Sequence, residues 1–270
     1  MNTTLLNWTP EALRAVSAEL EGGTPEEVLL WGLDHFEARR EPGTAPAEGE
    51  RAGLAMATGF GPEGVVLMHM LSRLVQLAPG PEGDSMSRLA PDSTVFYTDT
   101  DLLFDETYAL RDQLAERLGI QFTRIHGGLS LDEQAAQHGP ALWSRDPDLC
   151  CQLRKVAPLR QYLRTKQAWI SAIRRDQTAN RASAGLVEWD RSNGLVKLNP
   201  LAAWTSGQVW SYVLKHDLPY NPLHDQGYPS IGCWPCTKAV AAGDDPRAGR
   251  WAGQAKTECG IHLPAAQMAA

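Results

Sequence analysis

The chain has 270 residues, 43% hydrophobic and 21% charged, enough apolar material for a sizeable core and too much for a disordered chain. A formal net charge of −7 excludes a general attraction to nucleic acid or to an anionic membrane, so an anionic ligand has to meet a local cluster of Arg and Lys. No apolar run of roughly 18 residues marks a membrane span, the N-terminus lacks the pattern of a signal peptide, and a reducing cytoplasm is the default expectation.

Residues 1–40 read as helical, with Thr-Pro start signals at Thr9-Pro10 and Thr24-Pro25. The Pro/Gly/Ala-rich stretch 41–50 reads as a linker. AGLAMATGFGPEGVVLMHMLSRLVQL then reads as a short apolar strand, a glycine-rich turn and an amphipathic helix, followed by a loop over 80–93. STVFYTDT is a strand by its β-branched and aromatic content, and DETYALRDQLAERLG is a helix that ends at Gly119. IQFTRIHG is a third strand, LRKVAPLRQYLRTK is helical at least in part, and AWISAIRR is a fourth strand-like run. Beyond about residue 205 the chain reads as loop-rich. Strands alternating with helices predict an α/β fold with a mostly parallel sheet flanked by helices.

Within this frame the turn Thr58-Gly59-Phe60-Gly61-Pro62-Glu63-Gly64 lies between a strand and a helix. Glycines there let backbone N–H groups approach a phosphate, and the helix N-terminus adds partial positive charge. No GK[ST] follows, so this is not the ordinary P-loop, and a plain strand-to-helix turn fits as well.

Five cysteines, an odd number, fit poorly with a disulfide framework. Cys150-Cys151 and Cys233-Trp234-Pro235-Cys236 form two pairs with 81 residues between them. Four thiolates suit a [4Fe–4S] cluster or a structural zinc, while a redox CxxC beside two buried thiols, or structural thiols alone, stay open. Adjacent cysteines serve one centre only where the backbone turns sharply. Cys259 stands apart in the polar tail sequence Lys256-Thr257-Glu258-Cys259-Gly260-Ile261-His262, where a mobile segment and nearby cations suit a nucleophile and a tail thiol without a role is the alternative. Three basic groups break the acidic background: Arg154-Lys155, Arg174-Arg175 with Arg181, and Arg247 with Arg250. Guanidinium forks suit phosphate and sulfate, so with the glycine-rich turn they point to an anionic, nucleotide-like ligand.

Taken together, residues 52–263 resemble the adenylyl-sulfate and phosphoadenylyl-sulfate reductase family. FGPEGVV is similar to that family's phosphate loop, and FYTDTDLLFDETY to its strand-to-helix segment, with Asp101 where the family has Gly. CCQLRKVAPL, AWISAIRRDQTANRA (with Ala172 at a usual Gly), PYNPLHDQGYPSIGCWPCTKAV, RAGRW and ECGIH complete the match, and the long PYNPLHDQGYPSIGC run with ECGIH is its most specific part. The resemblance implies an adenine-nucleotide α-hydrolase-like fold with a mobile C-terminal tail. It implies that Cys150, Cys151, Cys233 and Cys236 ligate a [4Fe–4S] cluster and that Cys259 is the catalytic nucleophile. By the same match Thr58, Gly61 and Glu63 fall in the phosphate loop, Thr98 meets adenine through its backbone, Arg174 lies on the nucleotide side, and Lys155, Arg247, Arg250 and His262 surround the phosphosulfate.

The activity implied is thiol-dependent reduction of adenylyl sulfate to sulfite and AMP through an enzyme S-sulfocysteine, with thioredoxin or glutaredoxin as electron donor and no nucleic-acid or membrane partner. A homo-oligomer is compatible with this reading. Members with the CC and CxxC pairs take adenylyl sulfate, and the 3′-phosphorylated substrate is the alternative. An ATP pyrophosphatase is disfavoured because TGFGPEG lacks the Asp-Ser pair of an SGGxDS loop, and a non-enzymatic cluster-binding protein is disfavoured by the presence of Cys259. The expected division is an N-terminal helical extension and linker (1–50), a nucleotide-binding reductase domain (51–240) and a tail with the catalytic cysteine (241–270).

Overall fold

The computed structural model describes residues 8–36, 51, 53–77, 94–254 and 256–262. Six strands form one sheet: β1 (Leu54–Ala57), β2 (Thr94–Asp99), β3 (Phe122–His126), β4 (Ala168–Ile170), β5 (Val187–Asp190) and β6 (Leu195–Leu198), in the order β3-β2-β1-β4-β6-β5. All neighbours are parallel except the edge pair β5–β6. The chain lays β2 and β3 to one side of β1, then returns to lay β4 on the other side. The carboxyl ends of β1 and β4 therefore flank a topological switch point, where open parallel sheets leave a crevice.

The inner strands are buried on both faces, which is why LAMA, VFY and AWI are continuous apolar runs rather than alternating ones. On one face pack α1 (Pro10–Leu20), α2 (Pro25–Phe36), α3 (Pro62–Leu77), α4 (Asp105–Leu118) and α9 (Ser206–Lys215), around Leu13, Leu29, Met56, Leu67, Leu114 and Val209. The other face is thinner: Ala55, Phe96 and Trp169 meet Leu159 and Leu163 of α8 (Ala157–Leu163), and Ile261 of the tail packs at its edge. The successive residues Leu54, Ala55 and Met56 alternate between the two cores, as the two-residue period of a strand requires.

Both N-terminal helices form where predicted. Thr9 Oγ1 accepts from Ala12 N at 3.2 Å, and Thr24 and Glu27 cap α2 reciprocally. Leu13, Val28 and Leu29 share the core with β1 and β6, and Ser17 Oγ accepts from Leu186 N at 2.9 Å. The predicted linker 41–50 and loop 80–93 lie outside the described residues. Helix α4 stops at Gly119, whose φ of 65° is the left-handed cap.

The fourth strand is shorter than expected, because Ser171–Arg174 leaves the sheet to line the crevice. The stretch after residue 205 is also more regular than predicted. α9 begins with a capping box in which Gln208 N donates to Thr205 Oγ1 at 3.3 Å and Thr205 N donates to Gln208 Oε1 at 2.8 Å. Unanticipated elements are α5 (Leu131–His138), α6 (Leu142–Arg145), α7 (Pro147–Cys151) and the β5–β6 hairpin, whose turn closes on Asp190 and on Gly194 at φ 66°. Between α7 and α8, Gln152–Val156 is one π-helical turn, with Ala157 N bonding Gln152 O. Pro158 has no N–H for the Arg154 carbonyl, so an α-helical ladder could not run through this point. Among the described residues no helix is long and apolar enough to cross a membrane.

Asp101, at the family's glycine position, has φ 56°. Its carboxylate compensates for the left-handed backbone by collecting Arg124 at 2.9 Å, His126 at 2.6 Å and the buried Arg154 at 3.0 Å. Arg154 also bonds Gln134 and the carbonyls of Thr100 and Leu129, so it pins the π-helical turn to the ends of β2 and β3. Asp101→Ala keeps the strained backbone and strands a buried guanidinium, so urea denaturation should show a loss of about 3 kcal/mol. Asp101→Gly should lose about 1 kcal/mol less, because glycine relieves the left-handed strain.

Candidate active site

A cavity of about 530 Å³ opens at the switch point. Thr58, Gly61 and Glu63 enter it from the turn after β1, Thr98 from β2, and Ala172 and Arg174 from the segment after β4. β2 runs three residues past its last pair with β1, Ala57↔Phe96, so Thr98, still paired with Ile125 of β3, has no partner on the β1 side and lines the cavity. The turn is tightly built: Thr58 N bonds Phe96 O at 2.9 Å and Phe60 N bonds Thr58 Oγ1 at 3.0 Å. A Cβ on Gly64 would lie 2.7 Å from Thr58 Oγ1, so the third glycine of the turn is a steric requirement. Arg174 is buried and ion-paired to both Glu63 and Asp176, and Gln177 Nε2 donates to Glu63 Oε1 at 3.1 Å.

Behind this cavity lies a small cleft lined by Cys150, Cys151, Cys233 and Cys236. Adjacent cysteines reach one cleft because they lie at the end of α7, where helical backbone sets successive side chains about 100° apart around the axis instead of on opposite sides as in an extended chain. The CxxC loop is tied to the end of β2: Trp234 N bonds Leu102 O at 2.8 Å, and Thr100 Oγ1 lies 3.2 Å from Cys233 Sγ. Burial pushes the Cys151 thiol up to about 12 and the Cys236 thiol up to about 11, and raises Cys150 as well. All five cysteines are free. Among the described residues, no three His, Cys, Asp or Glu side chains converge on a point that a single metal ion could occupy.

Lys155, Arg250 and Trp251 line both spaces and form the wall between them. Burial opposes the Lys155 ammonium, and the sulfurs of Cys233, Cys259 and Cys151 lie near enough to raise its pKa when they carry negative charge. Arg250 stacks on Trp251, 4.6 Å from the ring centroid, and its Nη1 reaches Ser230 Oγ at 3.3 Å. Its Nε is sealed from solvent without a hydrogen-bond partner among the described residues. A Cβ at 232 would lie 2.3 Å from Arg250 Nη2, so a larger residue there would push the guanidinium from its place on Trp251.

The tail closes the cavity. Cys259, half-buried, lies within electrostatic reach of Lys155 and Arg247. The His262 ring stacks on Trp169, with centroids 5.8 Å apart and planes within 3°. Burial, then the charges of Lys197, Arg181 and Arg247, hold this imidazole well below its usual pKa and hence neutral. Glu258 is buried and takes both Arg181 and Arg247, while Arg247 Nη2 also donates to Thr257 O at 2.9 Å. Segment 256–262 is thus docked in this state, and the tail from 263 lies outside the described residues.

Every residue given a role in the sequence lines one of these two adjoining spaces, whereas Arg175 of the second basic group turns away to pair with Glu21. Glu258 and Asp176, which also line the cavity, were missed, and Arg181 was noted only as part of a basic group without a role of its own. Glu258 stands directly before Cys259, and an acidic residue there signals a buried cationic partner only once Arg181 is known to be near. Trp169, the platform for His262, was read as an ordinary strand residue.

A mostly parallel sheet with a glycine-rich turn after its first strand and a cation-lined cavity at the switch point defines an α/β protein of the adenine-nucleotide α-hydrolase type. Residues 53–239 match the family model described as the phosphoadenosine phosphosulfate reductase domain, and the chain belongs to that family. The adenosine 5′-phosphosulfate reductase of Salinibacter ruber is 48% identical over 256 residues, 94% of this chain and 90% of that protein. The phosphoadenosine 5′-phosphosulfate reductase of Gloeobacter violaceus is 46% identical over 77% of this chain and 82% of its own length. The crystal structure of phosphoadenylyl-sulfate reductase from Candida auris superimposes with a TM-score of 0.64 at 27% identity, covering 87% of this chain and 99% of that one.

The buried thiols give a direct test of this geometry. At pH 8, about one in a thousand Cys236 side chains and one in ten thousand Cys151 side chains would be thiolate at pKa values of about 11 and about 12. In metal-free folded protein, timed alkylation with peptide mapping should label Cys259 first and these two last.

Proposed function

We propose that the chain reduces adenylyl sulfate to sulfite and AMP in assimilatory sulfate reduction. One observation carries this reading: a single cavity brings the Cys259 thiol together with Lys155, Arg247 and Arg250 beside a glycine-rich turn fit for a nucleotide phosphate. The Cys259 thiolate attacks the sulfonyl sulfur, the S–O bond to the phosphate breaks, and AMP leaves with the bonding pair. The sulfonate now sits on Cys259. A thiol of the donor protein attacks the Cys259 sulfur and releases sulfite, and the donor's second thiol resolves the mixed disulfide. Sulfur gains two electrons and two donor thiols become a disulfide. Sulfonyl and phosphoryl oxygens repel an incoming thiolate, so the cations of the cavity wall are placed to neutralise them.

Charge matching supports adenylyl sulfate over its 3′-phosphorylated form. Arg174 is matched by Glu63 and Asp176, and Arg181 and Arg247 by Glu258. Among the described residues lining the cavity, Lys155 and Arg250 have no carboxylate partner, and they suit the single charges on the phosphate and the sulfonyl end. A 3′-phosphate adds roughly 1.5 to 2 further negative charges, with no further unpaired cation among the described residues lining the cavity to meet them.

The cysteine cleft fits a [4Fe–4S] cluster held by Cys150, Cys151, Cys233 and Cys236. Two cysteine pairs that share one cleft offer the four thiolate ligands that such a cluster takes. When bound, the cluster would supply iron–thiolate bonds joining the π-helical turn to the CxxC loop and negative charge beside Lys155. Five free thiols suit a reducing cytoplasm, with thioredoxin or glutaredoxin as donor. On this reading 51–240 is the reductase unit, 241–270 the tail that carries the nucleophile, and 1–50 an extension whose helices complete the core.

Anaerobically purified protein should contain about four iron and four sulfide per chain. It should release sulfite and AMP from adenylyl sulfate without ATP, with kcat/KM at least tenfold above that for the 3′-phosphorylated form, about 1.4 kcal/mol. Cys259→Ser should form no sulfite and keep its iron. Mass spectrometry without reductant should find the sulfonate on Cys259 alone. Normal turnover by Cys259→Ser, or an adduct on Cys233 or Cys236, would overturn the mechanism.

A further inference from the structure

Glu258 is a buried carboxylate next to the nucleophile, and all of its acceptor positions face donors. Oε1 accepts from Arg181 Nε at 3.1 Å and from Thr178 Oγ1 at 3.1 Å, and Oε2 accepts from Arg181 Nη2 at 2.9 Å and from Arg247 Nη2 at 3.4 Å. With two donors on each oxygen, this carboxylate has no lone pair left for the Cys259 thiol. Arg181 is equally committed: it is buried, its Nη1 donates to Gln177 Oε1 at 2.5 Å, and it grips Glu258 in a two-pronged fork. Gln177 in turn donates to Glu63 of the phosphate loop. A continuous chain of hydrogen bonds therefore runs from the phosphate loop to the residue before Cys259.

We infer that Glu258 and Arg181 are positioning residues that clamp the tail so that Cys259 sits inside the cavity for sulfonyl transfer. The inference rests on the proposed reaction for its purpose, though not for its geometry. The clamp is built from one planar fork and one carboxylate, so it fixes the orientation of the backbone as well as its distance. A tail held only by Ile261 on the sheet edge and by the His262–Trp169 stack would keep its contact area while Cys259 swung about. Arg247 makes the longest of the four contacts to Glu258, at 3.4 Å, and is the member best able to turn towards a substrate anion while Arg181 keeps its hold. Sulfonyl transfer needs the clamp closed. Attack by a protein thiol needs Cys259 outside it, so the clamp opposes the second half of the reaction that it serves in the first.

The test uses anaerobically purified full-length protein and the variants Glu258→Gln, Glu258→Asp, Arg181→Gln and the double variant Glu258→Gln/Arg181→Gln. The first measurement needs no substrate: the rate of N-ethylmaleimide labelling of Cys259. It should rise at least about tenfold in Glu258→Gln and Arg181→Gln, rise less in Glu258→Asp, and rise no further in the double variant. AMP affinity should stay within about threefold of the parent, which shows the cavity intact. In single-turnover experiments, formation of the Cys259 sulfonate from adenylyl sulfate should slow about ten- to a hundredfold. Sulfite release from pre-sulfonated enzyme by reduced thioredoxin should be unchanged or faster. Unchanged labelling would overturn the clamp, as would loss of AMP binding in both single variants or equal slowing of the two half-reactions. A parent protein that forms no sulfonate would overturn the proposed reaction instead, and the labelling rates would still decide the clamp.

Discussion

A buried guanidinium is tolerable only where negative charge meets it. Among the described residues five cations line the cavity of this acidic chain: Arg174 and Arg181, which are buried, and Lys155, Arg247 and Arg250, which are half-buried. Glu63 and Asp176 hold Arg174 against the phosphate loop, and Glu258 draws the tail onto Arg181 and Arg247. The loop that meets the nucleotide and the segment that carries the nucleophile are thus placed by the same electrostatic demand. Desolvation makes each pair costly to break by halves, which gives the empty cavity a defined shape.

The wall shared by the two spaces extends this logic. Lys155 follows the cysteine pair by a few residues, and Arg250 and Trp251 follow the CxxC loop. Cross-links are made where the chain returns on itself: Trp251 N bonds Cys236 O at 3.0 Å, and Lys238 N bonds Gly249 O at 2.9 Å. Whatever fixes the cysteines also fixes the cations that face the substrate side. Arg154, anchored on Asp101, adds a second restraint from the sheet, so Lys155 is held from both directions.

Much of this was legible in the sequence where the signal was local. The first three strands, helices α1 to α4, the two cysteine pairs and the lone Cys259 all follow from periodicity, caps and spacing. The β5–β6 hairpin had its signal in Asn193-Gly194, and α9 had its own in the Thr205-to-Gln208 capping box, but the surrounding Trp, Tyr and Gly residues obscured both. The Glu258–Arg181 pair joins positions 77 apart in the chain, and no local pattern announces a contact of that range. Asp101 shows the opposite case: a departure from a glycine pattern reads as an anomaly until its partners Arg124, His126 and Arg154 are seen.

The π-helical turn at Gln152–Val156 has a consequence at the level of the gene. One such turn equals a single residue inserted into an otherwise regular helix. Deleting the codon of Gln152 or Leu153 would bring α7 and α8 towards one α-helical register, with the bond missing at Pro158 left as a kink. Everything on the cysteine side would then rotate by about 100° relative to the rest and shift by about 1.5 Å along the axis. Cys150 and Cys151 would leave the cleft while every residue that lines it remained encoded. This region is therefore one where point substitutions are tolerated according to side chain, whereas length is constrained to the single codon.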